Sequence, residues 1–279
     1  MELDLEFKRG QPIRQGDVFG FWDWRTKPSL ARFGLVITAD CDIENGQPDQ
    51  DLVYLRVITQ ADYIEIFWSR AKLGVVRKTN VRDLTGQINK LRRARDAGAP
   101  DLTIAEVEQW ITSESPANIA DAIGGVEARE AERLSRNIDD ARNSVQLATL
   151  PLGTACLDHL VTVRGRDRAN ILKQAANDLR SERDDIFFLT SLIDPDDATG
   201  YYVLLDHIGA VAKDQLSDSI DAVSRGVKVA YRFGTLAQIY KYAVAQRFAF
   251  LFQRIGLPND HKHRHEATLA RINSMGGDT

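Results

Sequence analysis

The chain has 279 residues, with 36 Lys and Arg against 40 Asp and Glu, and a formal charge of −4. A hydrophobic share of 43% excludes a disordered chain, and no apolar run reaches the roughly 18 residues of a membrane span. The opening MELDLEFKRGQP lacks the apolar core of a signal peptide, and Cys41 and Cys156 make neither a disulfide framework nor a zinc cluster. A cytoplasmic protein without a membrane partner is expected, of one large domain or two small ones.

Strand signals come first. Residues 17–24 (DVFGFWDW), 33–38, 52–59 and 63–68 (YIEIFW) are β-rich and are separated by turn residues, Lys27-Pro28-Ser29 and Asn45-Gly46-Gln47-Pro48-Asp49. Strands this short and close curl into a small barrel. Trp22 and Trp24 share one strand face, where they stack bases or fill the barrel. Asp17 is expected to brace a turn. In Asp40-Cys41-Asp42 two carboxylates disfavour the thiolate, so turn formation or helix-start capping is the expected role.

From about residue 80 to 182 the pattern is helical. Ser115 before Pro116 reads as an N-cap with proline in the first turn. Val126, Leu134, Ile138, Ala141 and Val145 recur at helical spacing, and a further helix is expected over 168–180. Strands return at 186–192 and 201–211. A long helix then covers roughly 233–254, ending at Gly256-Leu257-Pro258. The expected fold is α+β: a small β-barrel formed by residues 1–70 and 183–222, a helical insertion at 71–182, and a C-terminal helix and tail at 223–279.

Charge is segregated within this plan. Between residues 70 and 95 nine cations, among them Arg70, Lys72, Arg77, Lys78, Arg92 and Arg93, face only Asp83, a net of +8. Between 101 and 140 the net is −7. The basic arm suits an RNA backbone, or its charges pair with the acidic helices beside it. An acidic helix over such a groove would also mimic phosphate and inhibit. His261, His263 and His265 form a charge-flanked run expected to be solvated, and His159 and His207 are expected to be packed or hydrogen-bonded, so no metal site is expected.

Four pieces resemble one family. Gly16-Asp17-Val18, Arg32-Phe33-Gly34-Leu35-Val36-Ile37, Val57-Ile58-Thr59 and the stretch from Val203 to Leu216 are similar, in that order, to the motifs of MazF/PemK-like toxins, across residues 14–68 and 186–220. Phe33 stands where the family has proline, and Gly209-Ala210 where it has Arg-Thr. The resemblance implies an SH3-like barrel and a metal-independent, cofactor-free endoribonuclease that cuts single-stranded RNA in a toxin or phage-defence setting. It places the catalytic roles on Arg32 and Thr59. A guanidinium forks onto phosphate oxygens and stabilises the pentavalent charge; a threonine hydroxyl holds the phosphate or relays a proton. The alternative is a catalytically silent barrel serving as an interaction or regulatory component of a multi-protein complex, with a protein partner or second copy on the insertion or the C-terminal helix. A third reading is a metal-dependent hydrolase using Asp40, Asp42 and the C-terminal histidines.

Overall fold

A computed structural model describes residues 3–4, 10–21, 33–46, 50–181, 183–192 and 200–253. The chain opens with β1 (Leu3–Asp4), β2 (Asp17–Phe21) and β3 (Phe33–Val36), turns through α1 (Asp40–Asn45), and enters β4 (Asp51–Thr59). Asp40 and Asp42 fall in the first turn of α1, where carboxylates complement the helix dipole.

The stretch YIEIFW, expected as a strand, is helical. Thr59 caps α2 (Gln60–Tyr63), which runs through a π turn (Ile64–Trp68) into α3 (Ser69–Arg95). Tyr63 and Ile66 are buried three residues apart, so the apolar spacing that looked like strand alternation also serves one helix face.

Four helices then build a bundle on α3 and its continuation. They are α4 (Ile104–Ser113), α5 (Pro116–Ile123), α6 (Ala128–Ala148) and α7 (Leu157–Arg164), with α8 (Arg168–Asp178) following. Their starts are chemically marked: Thr103 and Glu106 form a capping box, and Ser115 caps α5 with Pro116 at its start. Val81, Leu84 and Ile88 of α3 meet Val107, Ile111, Leu134, Ile138 and Ala141 in one buried cluster.

The chain then returns to the sheet through β5 (Ile186–Leu189) and β6 (Tyr201–Ala212). A 3-10 turn (Lys213–Gln215) leads to β7 (Leu216–Ser217), α9 (Ile220–Ser224), β8 (Ala230–Leu236) and α10 (Gln238–Gln253). The helix expected from residue 233 therefore starts at Gln238, and the residues before it form β8, beyond the 183–222 stretch assigned to the sheet.

Strand order is β1-β8-β2-β3-β4-β6-β5, antiparallel throughout, with β7 added parallel to β8. The architecture is α+β. A closed barrel was expected; among the described residues the sheet is open, since the end strands β1 and β5 do not pair with each other. The physical reason lies in the first half of β6, Tyr201 to Leu205, which is buried on both faces. Tyr201, Val203 and Leu205 face a core shared with Val244 and Tyr240 of α10. Tyr202 and Leu204 face a second core with Tyr63, Trp68, Leu157 and Ile171 of the helical block. Near-continuous apolar runs suit a strand covered on both sides, and this half of the sheet is a middle layer between helices.

Candidate functional site

Thr59 ends β4 opposite Tyr201. Its hydroxyl donates to Asp62 Oδ2 at 2.9 Å and accepts the Asp62 backbone N–H at 3.1 Å. The side chain is only 8% exposed, so this hydroxyl is committed to a buried helix cap. Arg32, Trp22, Trp24 and the three C-terminal histidines lie outside the described residues. Phe33, next to Arg32, pairs with Val57 and sets its ring edge-on to Tyr201 at 5.8 Å.

Asp17 is fully buried. It accepts the Arg14 backbone N–H at 3.0 Å, bracing a turn, and also Arg232 Nη1 at 2.8 Å and the Thr235 hydroxyl at 2.5 Å. Arg232, 2% exposed, donates further to Asp218 and to the carbonyls of Gln11 and Pro12. Burial opposes its charge, yet the Asp218 and Asp17 carboxylates leave its pKa raised. Its partners make it a tie between strands.

The cations of α3 are largely engaged. Arg77 pairs with Glu108 and Arg93 with Asp101. Lys72 bonds Asp178 at 2.7 Å, and that hydrogen bond holds the Asp178 carboxyl below its usual range. Arg92 donates to the Pro100 carbonyl, Arg95 to that of Ile123 and Arg70 to that of Pro151. Lys78 is exposed and makes no ion pair among the described residues. The arm therefore acts mainly as a row of tethers to the helices packed against it.

A different surface brings arginines together with an exposed aromatic ring. Beside Thr59, where β4 gives way to α2, a groove of about 490 Å³ is lined by Gln60, Arg180, Arg183, Phe188, Tyr202 and Arg247, among others, with no acidic side chain among its described lining. Each wall has a different origin. Gln60 begins α2, Arg180 and Arg183 follow α8, Phe188 lies on the edge strand β5, Tyr202 on β6, and Arg247 on α10. Arg183 pairs with Asp185, whose hydrogen bond raises the guanidinium pKa and lowers that of the carboxyl. Arg247 donates to the Arg183 carbonyl at 2.8 Å. The Arg180 side chain is exposed and makes no hydrogen bond or ion pair among the described residues. Arginines beside an exposed ring such as Phe188 supply chemistry that single-stranded nucleic acids use.

The groove residues were not singled out in the sequence. Arg180, Arg183, Phe188 and Arg247 are spread over three elements, and none is conspicuous alone. The available signal was Arg247, one of only two cations in the otherwise neutral helix QIYKYAVAQRFAFLFQ.

No family model, curated protein or solved structure matches the chain. Among the described residues no cluster of three or more His, Cys, Asp or Glu could hold a metal ion, and no helix is long and apolar enough to cross a membrane.

Proposed function

We propose that the protein binds single-stranded RNA, with MazF-like endoribonucleolytic cleavage as the activity that its motif resemblance implies. The observation that carries this reading is the groove at the end of β4, where Arg180 and Arg247, beside the Asp185-paired Arg183, meet the exposed ring of Phe188. The finer SH3-like reading draws support from the sequence of neighbours β8-β2-β3-β4-β6, in which the last strand returns to the first. The committed Thr59 hydroxyl moves the weight of any catalytic step onto Arg32, with Thr59 shaping the strand end beside the groove.

Fluorescence anisotropy with labelled single-stranded RNA octamers, without added metal, tests binding. Micromolar or tighter affinity that weakens in Arg180→Ala and Arg247→Ala is expected; no binding at low salt overturns the reading. Gel analysis of the same RNA tests cleavage, which Arg32→Ala is expected to abolish. A fully active Arg32→Ala protein removes that assignment.

One observation favours the second reading, an interaction component. Ile239, Tyr242 and Phe250 of α10 are 74%, 59% and 57% exposed, an apolar set at helical spacing of the kind that associating surfaces carry. Light scattering across a concentration series, with Tyr242→Glu and Phe250→Glu as controls, tests self-association through this helix.

A further inference from the structure

We infer that the groove seats one unpaired nucleotide, with its base stacked on Phe188, its edge read by the Gln60 carboxamide and its phosphate held by Arg180 and Arg247. This rests on the RNA-binding reading above and names the recognition within that same site.

Gly200 shows how close the two reading groups lie. Its φ is +64°, and a Cβ built there would come within 2.9 Å of the Phe188 ring and 3.5 Å of Gln60 Oε1. The ring and the carboxamide thus converge over one glycine, where any side chain would push them apart. Phe188 remains 47% exposed. Tyr202 braces it at a ring separation of 5.3 Å and an angle of 53°, an arrangement that supports the ring without covering both faces.

Gln60 and Tyr202 both line the groove. A carboxamide has two donor hydrogens and two acceptor lone pairs, enough to present both a donor and an acceptor to a ligand. A glutamine offering both is the usual partner of adenine. Arg180 comes from the inserted helical block and Arg247 from α10, on separate walls of the groove. Two guanidiniums so placed suit the phosphate that accompanies a stacked base.

The test uses the full-length protein with the octamers rA8 and rU8, and with an rA8 carrying one 2-aminopurine. Expected are tighter binding of rA8 than rU8 and a fall in 2-aminopurine fluorescence on binding. Phe188→Ala should weaken rA8 roughly 5- to 150-fold and remove the quenching, while Phe188→Tyr keeps both. Gln60→Ala should narrow the gap between rA8 and rU8. Far-UV circular dichroism and thermal melting identify variants that keep the fold. Equal binding of rA8 and rU8 by the unaltered protein overturns the inference, as does a folded Phe188→Ala protein with full affinity and quenching; in both cases the RNA reading stands. Failure of the unaltered protein to bind either RNA overturns both.

Discussion

Arg232 and Asp17 are 215 residues apart in sequence and 2.8 Å apart in the fold. Removing one partner leaves the other charge buried and uncompensated, which typically costs about 3–5 kcal/mol. Arg232→Ala should lower the urea midpoint accordingly, and combining it with Asp17→Ala should cost less than the two separate losses together. Thr59 makes a smaller contribution. Thr59→Ala should cost about 1 kcal/mol as a lost N-cap, while Thr59→Ser restores the cap; chemical denaturation of both separates capping from other effects. The brace role of Asp17 was legible because Gly16-Asp17 sits at a turn. Its arginine was not, since no local pattern announces a partner on a strand so distant in sequence.

Helices with a marked start and a regular apolar stripe were the elements most readable in advance. Ser115-Pro116 opens α5 as expected, and Leu134, Ile138 and Ala141 face inward from α6. The misread stretches are those whose pattern fits two answers. YIEIFW has the aromatic content of a strand, but the Thr59 cap starts a helix just before it. The β8 sequence AYRFGTL carries an arginine and a glycine, which weaken a strand signal; burial of Arg232 against Asp17 makes that arginine compatible with the sheet. The groove was illegible for a related reason, because its walls come from elements whose neighbourhood only the tertiary fold defines.

The α3–α6 seam yields two expectations at this scale. Ile138→Ala, at a fully buried position, should destabilise by about 2–5 kcal/mol, read from thermal or urea unfolding. Breaking the partly exposed Arg77–Glu108 pair should couple by less than about 1 kcal/mol in a double-mutant cycle. Deleting residues 101–148 would instead bare Val81, Leu84 and Ile88. Glu108→Gln is therefore the cleaner way to ask whether the acidic block restrains the basic arm.

At the scale of the whole molecule, acid should loosen the structure. Asp185 is lowered by its hydrogen bond to Arg183, and Asp178 by its hydrogen bond to Lys72. The unfolded chain takes up protons on these groups at higher pH than the folded one. Their stabilisation is therefore complete above about pH 5 and is lost as pH falls through the lowered folded-state values. Melting temperatures followed from pH 7 to pH 3 should decline over that window, and Arg183→Ala should flatten the decline. With one phosphate held by Arg180 and Arg247, RNA affinity should fall with a log–log salt slope of about −0.7.

The pairing of β2 with β8 also sets a timetable for synthesis. Chains emerge at about 5–20 residues per second, so Asp17 waits roughly 10–40 s for Arg232 to leave the ribosome. During that interval α3 to α6, whose contacts are short in sequence, have what they need to assemble. β2, β3 and β4 can pair with one another early, but the apolar face they share with β6, β8 and α10 stays open until those elements emerge. The ribosome-bound nascent chain should thus hold a finished helical bundle attached to an unfinished sheet, and the sheet half is where a chaperone would be needed.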